Sequence, residues 1–126
     1  MSIIEPELSY KIVGFCMKIH GELGRNHKEK YYQRALEIDF IKNDIAYDEE
    51  LKVYLEHGDS NIGYYCLDFL VDGRIIVELK SKPGISLSDI KQVLAYLETH
   101  KIKLGIIINF GGNSLETKRI VNSKYE

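Results

Sequence analysis

The chain has 126 residues, 44% of them hydrophobic and 29% charged, with a formal net charge of −2. That length fits one domain with a core of its own, spanning residues 1–126, and the composition excludes a disordered or collagen-like chain. The charge excludes a global attraction to nucleic acid, which rests on clustered Lys and Arg, and leaves only local groups: Arg25, Lys28 and Lys30; Lys80 and Lys82; Lys101 and Lys103.

In chain order, Met1 to Glu7 has neither a basic nor an apolar signal region. Ile12, Cys16, Ile19 and Leu23 then recur at helical spacing, which predicts a helix over 7–23 ended by Gly24. Asn26, in the turn that follows, tolerates a left-handed backbone. A second helix is predicted from His27 to about Phe40, with Glu29, Tyr32, Leu36 and Phe40 on one face. This spacing puts a carboxylate on an apolar stripe.

Alternation at Leu51, Val53 and Leu55 predicts a strand, and 57–63 reads as a turn-rich connection. Two further strands, 64–70 and 74–80, flank a hairpin at Val71-Asp72-Gly73. Ser86 with Asp89 has capping-box spacing and opens a helix to about Thr99 that turns Leu87, Ile90, Val93, Leu94 and Leu97 inward. Residues 104–110 read as a strand buried on both faces, and 118–121 as a short edge strand. The longest apolar run, near Gly105 to Ile108, is far short of the ~20 residues of a membrane span. Cys16 and Cys66 form no Cys-x-x-Cys motif and are expected as buried free thiols. A cytoplasmic location follows as the expectation.

The chemistry concentrates between Cys66 and Lys80. Glu78 and Lys80, two apart on one strand, share a face. The position of Asp68 depends on the turn. A two-residue turn at Asp72-Gly73 sets Asp68 on the far face. A three-residue loop, Val71-Asp72-Gly73, pairs Leu70 with Arg74, places Asp68 opposite Ile76 and brings it to the side of Glu78. Under that second register Leu67, Phe69, Ile75, Val77 and Leu79 form one apolar face, so the hydrophobic pattern selects it.

Two neighbouring carboxylates repel unless a cation lies between them. Oxygen ligands suit Mg²⁺ or Mn²⁺, with the Leu79 carbonyl as a further donor. An adjacent lysine can orient water or stabilise charge on phosphorus. Gln92 and Tyr96, at i and i+4 of the following helix, can donate hydrogen bonds to a phosphate or base. An ordinary Glu–Lys face on a strand is the bland alternative, and Glu-x-Lys alone does not exceed it. The four histidines are scattered and carry no zinc spacing, and no phosphate-binding glycine loop occurs.

The run Gly24 to Leu36, with Asp68, Val77-Glu78-Leu79-Lys80, Gln92 to Leu97, Lys103 to Gly105 and Ile108-Asn109-Phe110-Gly111, resembles the GxxExxY proteins. These are a branch of the PD-(D/E)xK nuclease superfamily. The resemblance implies an α/β, restriction-endonuclease-like mixed β-sheet flanked by helices, in the order α-α-β-β-β-α-β. It matches Glu29 and Tyr32 to the family glutamate and tyrosine, with Asn26 in place of the first glycine. Asp68, Glu78 and Lys80 match the catalytic set, and Gln92 and Tyr96 a Gln-x-x-x-Tyr motif. The implied partners are DNA or RNA, and also a second copy of the chain, since small nucleases of this fold often act as dimers. A module that keeps the fold and binds without cleaving is the rival reading.

Overall fold

A computed structural model describes residues 5–125 of the chain. Helix α1 (Pro6–Leu23) starts with proline at its first position, where a missing N–H costs nothing. It buries Leu8, Ile12, Cys16 and Ile19 along one stripe. Gly24, at φ +70°, ends it and returns its N–H to the His20 carbonyl at 2.8 Å. Asn26 takes the left-handed backbone expected of it, at φ +82°. Helix α2 (Glu29–Lys42) buries Tyr32, Leu36 and Phe40, but Glu29 at its first turn is exposed rather than seated on the apolar stripe.

Five strands follow: β1 (Tyr47–His57), β2 (Ser60–Val71), β3 (Ile75–Lys80), β4 (Leu104–Asn109) and β5 (Glu116–Val121). Helix α3 (Leu87–His100) connects β3 to β4. The sheet order is β1-β2-β3-β4-β5, antiparallel except for the parallel pair β3–β4 that the α3 crossover allows. This is the mixed sheet flanked by helices that was expected. Helices α1 and α2 cover one face with Phe69, Val71, Ile75, Val77, Leu79, Leu104, Ile106 and Ile108. Helix α3 covers the other through Val93, Tyr96 and Leu97 against Leu67, Ile76 and Ile107. Strand β4 is buried at every residue, as its unbroken apolar run required.

Four expectations need correction. The segment 57–63 is mostly strand: only Gly58 and Asp59 lie between the paired His57 and Ser60. Its polar residues form an exposed arm beyond the core, where alternation has no buried face to serve. Leu87 is 65% exposed, because α3 turns Asp89 rather than its first residue toward the sheet. Leu67 packs under α3, whereas Phe69 and Val71 pack under α1 and α2, so the alternation of β2 changes phase at Asp68. Glu50 stands opposite Asp68 if the β1–β2 register is continued, and its φ of +54° marks the same irregularity. Both cysteines are free, but only Cys16 is buried; Cys66 is exposed.

Candidate active site

Strands β2 and β3 pair as Val71↔Ile75, Leu70↔Ile76 and Phe69↔Val77. The hairpin loop is Asp72-Gly73-Arg74, one residue later than the sequence suggested. Asp72 (φ +52°) and Gly73 (φ +65°) both adopt left-handed backbone, which suits an Asp-Gly hairpin turn. Arg74 is held beside them by Asp72 and Glu5, each at 2.8 Å. The register therefore slips by two residues from the predicted one. A two-residue slip preserves faces, and it sets Asp68 directly opposite Glu78 rather than diagonal to it.

The ladder stops at that pair, and side chains take over. The Asp68 N–H donates to Glu78 Oε1 at 3.0 Å, and the Leu79 N–H donates to Asp68 Oδ2 at 2.7 Å. The two acids thus satisfy backbone donors that the parting strands leave open. A strand residue presents its N–H and C=O to the same neighbour, so the Leu79 carbonyl faces this seam too. Lys80 Nζ lies 3.1 Å from Glu78 Oε2 and 3.7 Å from Asp89 Oδ1. The predicted trio of Asp68, Glu78 and Lys80 does meet.

The electrostatics are those of crowded, half-dry acids. Burial, then the charge of Asp68, push the Glu78 carboxyl up to about 8. Burial likewise raises Asp68, with the Leu79 N–H pulling the other way. Burial opposes the Lys80 ammonium, but the Glu78 charge and hydrogen bond, with Glu29 and Asp89 behind them, raise its pKa overall. Two such carboxyls hold a proton between them unless a cation takes its place. The donor set of two carboxylates and a carbonyl is oxygen only, which fits a hard divalent ion with water in its remaining positions. Among the described residues no group of three or more His, Cys, Asp or Glu is gathered to hold a metal, so Glu29 does not join the pair as a clustered ligand. Its charge nevertheless reaches both Asp68 and Lys80 from the rim.

Tyr32, matched to the family tyrosine, is fully buried and presents no surface to a substrate. Its hydroxyl donates to the Gly24 carbonyl at 2.5 Å and accepts from the His27 N–H at 3.4 Å, while its ring stacks on Phe110 at 4.1 Å. Ser81 donates to the His27 carbonyl at 2.6 Å. Together they clamp the 24–28 loop to the end of β3 and so fix where Glu29 stands. Gln92 is half-buried, and its amide makes no hydrogen bond to another described residue. Tyr96 is nearly buried, stacks on His100 at 4.0 Å, and borders an open pocket of about 380 Å³ with Lys52 and Val53 on the β1 side. It is not gathered with the acid pair.

Three further residues contribute to the site. Asn109 accepts from the Lys82 N–H at 3.1 Å and donates to the Lys82 carbonyl at 2.8 Å. Gly111 packs so tightly on Lys82 that an added Cβ would sit 2.0 Å from its carbonyl oxygen. Both pin the chain just after Lys80. The spacing of Asp89 from Ser86 signals only a helix cap; in the structure it also pairs with Lys80 and, very closely, with Lys82.

An acid pair and a lysine at the parting of two central strands of a mixed sheet form a nuclease-like layout. The chain belongs to the PD-(D/E)XK nuclease superfamily, whose family model matches residues 6–120. No curated protein matches it. Among solved structures, the crystal structure of SSO0001 is similar at 18% identity with a TM-score of 0.54. The likeness covers 74% of this chain and 50% of that one, so the present chain corresponds to about half of that protein's length. At this identity the likeness concerns the fold. No helix among the described residues is long and apolar enough to cross a membrane.

Proposed function

We propose that this chain is a Mg²⁺- or Mn²⁺-dependent nuclease of the GxxExxY branch that hydrolyses phosphodiester bonds in DNA or RNA. The observation that carries this reading is the direct opposition of Asp68 and Glu78 at the end of the β2–β3 ladder, with Lys80 on the same face. Asp68, Glu78 and the Leu79 carbonyl hold the ion, which when bound supplies positive charge to a scissile phosphate. Glu29 holds ordered water on the rim. Lys80 orients the attacking water and stabilises charge that develops on phosphorus. Gln92 offers a free amide to the substrate, and Tyr96 borders the path of the strand further along α3. Residues 1–126 act as one domain in the cytoplasm. A second copy of the chain, as in other small nucleases of this fold, would extend the surface that holds the nucleic acid.

Lys80→Ala is expected to lower Mn²⁺-dependent cleavage of plasmid DNA and of single-stranded RNA by about 10³-fold, with the melting transition retained. Cleavage at the wild-type rate sinks the assignment of Lys80. A second reading rests on Lys80 and Lys82 both being paired with acids, which leaves little free positive charge here. Nucleic-acid binding without cleavage across Mg²⁺, Mn²⁺ and salt titrations identifies such a non-catalytic module.

A further inference from the structure

We propose that Asp89 is a positioning residue that keeps Lys80 in the site when a cation takes the carboxylates away from it. The inference rests on the nuclease reading above. In the structure the Lys80 ammonium is held mainly by Glu78 Oε2, at 3.1 Å. A divalent ion on Asp68 and Glu78 competes for that same oxygen and repels the ammonium, so Glu78 alone cannot hold the lysine in the loaded state. A second anion is needed, and Asp89 Oδ1 lies 3.7 Å from Lys80 Nζ.

Asp89 is built for the task. It is only 5% exposed. Its Oδ2 accepts the Ser86 N–H at 2.8 Å and pairs with Lys82, while its own N–H donates to Ser86 Oγ at 3.2 Å. Those contacts leave Oδ1 for Lys80. A capping box alone requires no lysine and is more often completed by Glu or Gln. Here the carboxylate ties the first turn of α3 to the end of β3, with Lys82 as the counter-charge that lets it stay buried.

Asp89→Asn keeps an acceptor for the cap and removes the charge. Ser86→Ala weakens the same cap and keeps the charge. With Mg²⁺ present, Asp89→Asn is expected to raise acetylation of Lys80 by an amine-reactive ester several-fold, read by mass spectrometry. Ser86→Ala should leave that reactivity unchanged. Asp89→Asn should also lower kcat for Mn²⁺-dependent cleavage of single-stranded RNA by about 10–100-fold with KM held, and Asp89→Glu should recover part of it. Equal Lys80 reactivity in wild type and Asp89→Asn, or equal loss in Ser86→Ala and Asp89→Asn, overturns the proposal. If no version cleaves, the nuclease reading fails, and the acetylation pattern still decides whether Asp89 positions Lys80. Should Asp89→Asn not fold, Asp89→Gln, which removes the charge but keeps an amide oxygen long enough to complete the capping box, gives the same comparison with Ser86→Ala.

Discussion

At the scale of single residues, the site is a set of side chains doing backbone work. Tyr32 illustrates it. A tyrosine at helical spacing with Leu36 and Phe40 reads as core, and its ring is core; its hydroxyl closes the 24–28 loop through Gly24 and His27. Tyr32→Phe keeps the stack on Phe110 and removes both bonds. It is expected to destabilise the fold by about 1–2 kcal/mol, read as a lowered urea midpoint with an unchanged slope. Because the same loop sets the position of Glu29, cleavage should fall further than stability alone accounts for. A midpoint within error of wild type counts against the clamp.

At the scale of elements, the start of α3 is where charge and secondary structure meet. Burial works against the Asp89 carboxylate, but Lys82, the Ser86 N–H and hydroxyl, and Lys80 together hold its pKa below the ordinary 3.8. A depressed carboxyl binds fewer protons folded than unfolded. Its stabilisation is therefore complete above the ordinary value and is lost as pH falls through the lower, folded one. Acid denaturation of the wild type should accordingly steepen below about pH 4, and Asp89→Asn should flatten that limb, as followed by circular dichroism. Identical acid limbs count against the assignment. The elements themselves were largely legible. Helices α1 and α3 carry clear periodicity and explicit caps, and β4 announces itself as an apolar run. The strand ends within 57–63 were not, because an arm beyond the core obeys no burial pattern. The β2–β3 register was read two residues off, since face parity cannot distinguish registers that differ by two. For the same reason the meeting of Asp68, Glu78 and Lys80 survived the error. What parity could not reveal was the phase change at Asp68, nor the side chains that pin Lys82 from 27 residues away.

At the scale of the whole molecule, the expected cofactor becomes a stability variable. Two crowded carboxyls, Glu78 buried and pushed up to about 8 and Asp68 half-buried, carry a cost when ionised that a divalent ion relieves. Binding at a hundred times its dissociation constant adds about 2.7 kcal/mol, which corresponds to roughly 10 °C in melting temperature for a domain of this size. Differential scanning fluorimetry with Mg²⁺ or Mn²⁺ should show that rise, and Asp68→Asn and Glu78→Gln should abolish it; chelation should return the wild type to its apo value. A flat response in the wild type argues against an ion at the seam. The bonds that Glu78 accepts from the Asp68 N–H and Asp68 from the Leu79 N–H also govern how inactive alleles are to be interpreted. Each acid is a stitch between neighbouring strands as well as a proposed metal ligand, so truncation to alanine unpicks the seam and removes the proposed ligand in one stroke. Only the amide isosteres, which keep an acceptor oxygen for the Leu79 and Asp68 N–H groups, separate a lost proposed ligand from a torn sheet.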